Sequence, residues 1–114
     1  MSRRDDRISI CQMLDYAQKA QAMIEGRVRP DLDSDFVLQL ALTRAVEVIG
    51  EAASRVSEPS RSKHPDIPWR DIVGMRSRLI HGYDAVDLNL LWDTVTTDLP
   101  PLIAALERIL QEKK

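Results

Sequence analysis

Cysteine, glycine, aromatic side chains and long apolar runs are all scarce in this chain of 114 residues. A lone cysteine, Cys11, excludes an intramolecular disulfide framework and suits a reducing compartment. No apolar stretch approaches the roughly 18 residues that would span a bilayer. The opening Met1-Ser2-Arg3-Arg4-Asp5-Asp6-Arg7 turns acidic before a signal-peptide core could form, so a cytoplasmic location with no membrane partner is expected. Four glycines and few alternating β-branched stretches leave little material for a sheet. With only two histidines, His64 and His81, no metal site is expected, nor a cofactor. A formal charge of −2 and a sequence pI of 5.6 exclude a polycationic nucleic-acid coat.

What is present reads as helix. Hydrophobic residues make up 44% and charged residues 30%, an ordinary globular balance for one domain over residues 1–114. A first helix is expected over about Asp6 to Glu25, with Ile10, Leu14, Ala17 and Ile24 on one stripe and Cys11 beside it. Gly26 should stop it, and Arg27-Val28-Arg29-Pro30 reads as loop. Asp33 or Ser34 can cap a second helix running to about Ser57. Its main stripe is Val37, Ala41, Ala45, Val48, Ala52 and Val56; Leu38, Leu42 and Ile49 make another side apolar too, as in a central helix. Gly50 lies in a lane of mostly modest side chains with Gln39, Thr43, Val46 and Ala53, which suits close backbone approach. Arg44, Glu47 and Glu51 share a further face, an ion-pair strip unless something draws them inward.

Residues 57–67 read as a turn-rich connector containing His64. Pro68 then suits the first turn of a third helix, with Trp69, Ile72, Val73 and Ile80 on its apolar face and Gly82 as terminator. Asp87 can cap a fourth, whose seam is Leu88, Trp92, Val95, Leu99, Leu102, Leu106 and Ile109. Pro100-Pro101 should kink or break it. The expected fold is therefore an all-α bundle of four to five helices, with Trp69 and Trp92 as core residues.

Arg76 is the anomaly: it falls four residues after Ile72 and four before Ile80, on the apolar stripe. A guanidinium there must be paired or face a cleft, because an unpaired buried charge is very costly. By itself it could be a structural ion pair with Glu47 or Glu51. His81 could equally be a helix-end residue favoured by the dipole, and Tyr83 a packing residue with a wet hydroxyl.

The string Arg76-Ser77-Arg78-Leu79-Ile80-His81-Gly82-Tyr83 resembles the Arg-x4-His-x-Tyr motif of the HepT-like toxins, a branch of the HEPN superfamily. Glu47-Val48-Ile49-Gly50-Glu51-Ala52 resembles that branch's second-helix signature, and Pro65-Asp66-Ile67-Pro68-Trp69 its entry to the motif helix. Val86-Asp87, Leu91-Trp92 and Leu99-Pro100 resemble its last segment, so the likeness covers roughly residues 35–110 in the family's order. The resemblance implies an up-and-down HEPN bundle forming a homodimer, with motif residues lining a cleft at the two-fold interface. It implies a metal-independent endoribonuclease acting on RNA as the toxin of a type VII toxin–antitoxin pair. The partner would be a minimal nucleotidyltransferase (MNT) antitoxin that transfers AMP to the motif tyrosine. Arg76 and His81 are then the catalytic candidates, Tyr83 the modification site, and Ser77, Arg78, Glu47 and Glu51 supporting residues. Ser77 stands where HEPN nucleases often carry Asn or Asp, with a shorter polar reach. A catalytically silent bundle serving as scaffold for the nucleotidyltransferase is the alternative.

The residue types suit this chemistry. Metal-free RNA cleavage uses the ribose 2′-OH against its own phosphate and leaves a 2′,3′-cyclic phosphate. Imidazole titrates near neutrality and can move the protons. Arginine keeps its charge and presents a planar fork to phosphate oxygens. In a straight helix at about 100° per residue, Arg76 and His81 would diverge by roughly 140°. Either the helix loosens near Gly82 or two subunits complete one cleft; Arg78, three residues before His81, shares its face. The mild overall charge also hides an asymmetry. From Arg61 to Tyr83 five bases face two acids, while Asp84 to Glu107 holds five acids and no base. A narrow phosphate-gripping cleft needs only local charge.

Overall fold

The computed structural model describes the backbone at residues 3–81 and 85–112, and side chains at 5–80 and 85–112. The fold is a bundle of α-helices. Helix α1 (Arg3–Met23) places Asp5 and Asp6 in its first turn, where the helix dipole favours negative charge. Its inward line is Ile10, Met13, Ala17 and Ala20, all buried, with Leu14 and Ile24 only partly covered. Cys11 is exposed. Gly26 ends the turn after α1 at φ +76°, a left-handed conformation that suits glycine.

Arg27–Pro30 is not all loop: a short helix α2 (Arg29–Ser34) starts inside it, anchored by fully buried Leu32. Pro30 permits this because a first-turn residue needs no N–H partner. Asp33 and Ser34 therefore belong to α2, and the cap of α3 (Phe36–Ser54) is Asp35, whose carboxylate accepts from Leu38 N at 3.0 Å. That N–H, followed by the Arg27 guanidinium 3.0 Å away, holds the Asp35 carboxyl below its ordinary pKa. Helix α3 is central as expected, buried at Leu38, Leu42, Val46 and Ile49 and, from Val48 to Ala53, nearly all round. Val37 does not join its core stripe and is 74% exposed.

The connector contains helix α4 (Glu58–Lys63), with Pro59 in its first turn. Two contacts tie it down. Arg61 donates to the carbonyls of Ala53 (3.0 Å), in the last turn of α3, and Val56 (3.1 Å), just beyond it. Asp6, from α1, accepts from Ser57 N at 2.9 Å and from the hydroxyls of Ser57 and Ser60 at 2.6 Å. Burial would raise the Asp6 carboxyl, but these hydrogen bonds outweigh it and leave the pKa below the ordinary value.

The expected third helix is two five-residue pieces, α5 (Trp69–Val73) and α6 (Met75–Leu79), broken at Gly74, where ψ is 1°. The break shifts the phase. Trp69, Ile72, Met75 and Leu79 face the core, while Val73 is 37% exposed. After Leu79 the chain is extended: β1 (Ile80–His81) pairs antiparallel with β2 (Ala85–Val86), the only β structure among the described residues. Gly82, expected as terminator, and Tyr83 lie outside the described residues.

Asp87 caps α7 (Leu88–Asp93) by accepting from Leu90 N at 3.0 Å. A π-helical turn, Thr94–Asp98, then leads into α8 (Leu99–Glu112). The irregularity lies just before Pro100-Pro101 rather than at them. Two prolines without N–H groups leave Thr96 and Thr97 without α-helical donors, and the wider turn instead closes from Leu99 N to the Thr94 carbonyl. Gln21 Nε2 of α1 donates to the Val95 carbonyl in that turn. The inner seam is Leu91, Val95, Leu99, Leu102, Leu106 and Ile109; Leu88 and Trp92 are half-buried against it.

Candidate active site

The motif segment crosses α3 at Gly50. A Cβ there would lie 3.1 Å from the Ile72 carbonyl oxygen and 3.7 Å from that of Val73. The lane of modest side chains thus serves the close approach expected of it. The C-terminal end of α5 rests on the α3 backbone, and α6 begins one residue later over the polar face of α3.

Arg76 leaves that face toward solvent. Its side chain is 63% exposed, not embedded in the apolar stripe, because the Gly74 break turns Met75 inward in its place. It is nonetheless held: Arg76 Nε donates to Glu47 Oε2 at 3.0 Å, and Glu47 is itself only 17% exposed. Arg44 lies 3.6 Å from both Glu47 Oε1 and Glu51 Oε2. The strip on α3 is therefore half drawn inward, with Glu47 between two arginines. The ion pair expected of Arg76 is thus present, and the bond at Nε leaves the two terminal amino groups of the fork unengaged by Glu47.

Ser77 and Arg78 are exposed, and Arg78 Nη2 donates to the Asp71 carbonyl at 3.0 Å. Arg78 and His81 do not share a helix face, because the helix ends at Leu79 and His81 is on extended backbone. The helix ends at Leu79, before Gly82, where loosening is one of the two expected alternatives. His81 is placed by its backbone, and Tyr83 lies outside the described residues. The basic segment is partly spent on structure, since Arg61 is turned onto carbonyls at and just beyond the end of α3. His64 accepts the Trp69 indole N–H on its carbonyl at 3.0 Å, a loop role. Among the described residues no group of three His, Cys, Asp or Glu side chains is gathered for a metal, and no helix is long and apolar enough to cross a membrane.

The bundle thus presents an arginine, held by a half-buried glutamate, in the first turn of a short helix that leads into a histidine. The family model described as "Ribonuclease HepT-like" matches residues 13–109, and the chain belongs to that family. It is 38% identical over 100 residues to the "Probable ribonuclease HepT" of Thermococcus cleftensis, covering 84% of this chain and 91% of that protein. It is 37% identical over 91 residues to a "Putative RNase" of Caldanaerobacter subterraneus subsp. tengcongensis, covering 80% and 81%. A "Putative RNase" of Methanocaldococcus jannaschii is 32% identical over 102 residues, covering 90% and 94%. No solved structure matches the chain.

Proposed function

We propose that the protein is a metal-independent endoribonuclease, the toxin of a type VII toxin–antitoxin pair acting on cytoplasmic RNA. The observation that carries the reading is family membership across residues 13–109, joined to an exposed Arg76 guanidinium that Glu47 steadies at one nitrogen. In the reaction the ribose 2′-oxygen attacks the adjacent phosphorus and the bond to the 5′-oxygen breaks, giving a 2′,3′-cyclic phosphate. His81 moves the proton between those oxygens. Arg76 neutralises the charge that develops on the phosphoryl oxygens. Glu47 orients Arg76, with Glu51, Ser77 and Arg78 in support. Two copies related by a two-fold axis bring their motifs to one cleft. A minimal nucleotidyltransferase antitoxin silences the site by joining the Tyr83 oxygen to the α-phosphorus of ATP, with pyrophosphate leaving.

Purified protein incubated with cellular RNA tests the reading. Cleavage by wild type should fall by about 100-fold or more in Arg76→Ala and His81→Ala, and identical RNA patterns for all three would overturn it. With the antitoxin and ATP, wild type should gain the mass of AMP; the same gain in Tyr83→Phe would move the modification elsewhere. Ser77, shorter than the usual Asn or Asp, favours the second reading, a silent scaffold for the nucleotidyltransferase. Growth arrest on expressing the protein alone supports the toxin, and unaffected growth with ample unmodified protein supports the scaffold.

A further inference from the structure

Beside Glu47 an open groove of about 460 Å³ runs along the first turns of α3. Phe36 and Leu40 form its apolar wall with Val86 and Leu88 across from them, and Thr43 and Arg44 lie toward Glu47. Three features of it are unexplained by packing. Phe36 is 67% and Leu40 57% exposed, on a helix whose other large side chains are mostly buried. Thr43 Oγ1 is shut off from water without a hydrogen-bond partner, the one such side-chain atom among the described residues. Arg44 is 63% exposed, and its 3.6 Å approaches to Glu47 and Glu51 are too long for hydrogen bonds, so its fork of donors is unspent.

We propose that this groove is a nucleotide subsite of the RNA cleft, continuous with the candidate active site through the glutamate that Arg44 and Arg76 share. A base lies against Phe36 and Leu40, since every base offers a flat face to an aromatic ring. The Thr43 hydroxyl, re-aimed by one χ1 step, meets a polar edge of the base or ribose. Arg44 takes the phosphate next to the one that Arg76 faces. The order of chemistry along the groove, apolar wall, hydroxyl, cation, follows the order of a nucleotide. The proposal rests on the ribonuclease reading.

Fluorescence anisotropy with a short single-stranded 2′-fluoro RNA, which binds without a 2′-hydroxyl nucleophile, tests it. Phe36→Ala should weaken binding about tenfold. Arg44→Gln should reduce the slope of log affinity against log salt by roughly 0.7. Val37→Ala, equally exposed but off the groove, should bind like wild type, and sedimentation should give one assembly state for all of them. Unchanged binding in Phe36→Ala, or an unchanged salt slope in Arg44→Gln, while wild type still cleaves RNA overturns the subsite and leaves the ribonuclease reading intact. Dissociation of an oligomer in Phe36→Ala assigns the groove to a second copy and also overturns it. Wild type that neither binds nor cleaves RNA overturns both.

Discussion

The pair of long helices α1 and α3 and the motif segment between Trp69 and Val86 are held in opposite ways. The long helices run 21 and 19 residues and bury continuous lines of side chains against each other. Among its described residues the motif segment has two five-residue helices and a two-residue ladder. Helices that short are not stable in water, because nucleation costs more than so few hydrogen bonds return. Their shape is imposed by docking Trp69, Ile72, Met75 and Leu79 into the bundle and by the contact at Gly50. The long helices thus shape themselves by their own length and mutual packing, while the candidate chemistry sits on a segment shaped by docking onto them.

Three substitutions probe that division. Leu42 is fully buried, and Leu42→Ala should cost about 2–5 kcal/mol of unfolding free energy in a denaturant titration. RNA cleavage per folded molecule should hardly change; a matching loss of cleavage would show that the two regions are not separable.

Asp6 is the polar tie between α1 and α4, and Asp6→Ala should cost about 1–2 kcal/mol near neutral pH. Because the folded carboxyl is held below its ordinary value, the stabilisation is complete above about pH 4. It disappears as pH falls through the lowered folded value, so wild type and variant should converge in acid melts. A gap that widened on acidification would contradict the hydrogen-bonding account.

Gly50→Ala has the smallest expected effect on stability and the most specific effect on activity. The new methyl presses on backbone carbonyls, yet alanine returns about 1 kcal/mol of helix propensity, so net stability should change by about 1 kcal/mol or less. The displaced end of α5 should carry Arg76 away from Glu47, and cleavage should fall well beyond any loss of folded protein. Full cleavage in Gly50→Ala would mean that the position of α5 does not set the site.

The long helices were legible because apolar residues at three- and four-residue steps carry their own phase. The cap at Asp87 was legible for a local reason, an acid standing directly before a periodic run. At Asp33-Ser34-Asp35 three eligible caps stand in a row, and only the placement of α2 selects Asp35. Pro30 and Pro59 read as helix breakers in a connector, yet both open short helices, since a proline is tolerated in a first turn. The misplaced phase of Arg76 has one cause. Counting from Ile72 to Ile80 assumes an unbroken helix, and Gly74 breaks it. Arg44 was visible only as part of a surface strip, because nothing local ties it to a residue 32 positions later.

The sequence alone determined the helical class, the central place of α3, the family likeness and the identity of Arg76, His81 and Tyr83 as candidates. Those are properties of composition, period and local order. Only the tertiary structure decided that Arg76 faces solvent with Glu47 at its back, that Arg44 shares that carboxylate, and that a groove with an orphan hydroxyl opens beside them. The reason is physical: periodicity reports which side of a helix is apolar. Where two short helices break phase and cross a third is settled by packing among residues far apart in the chain.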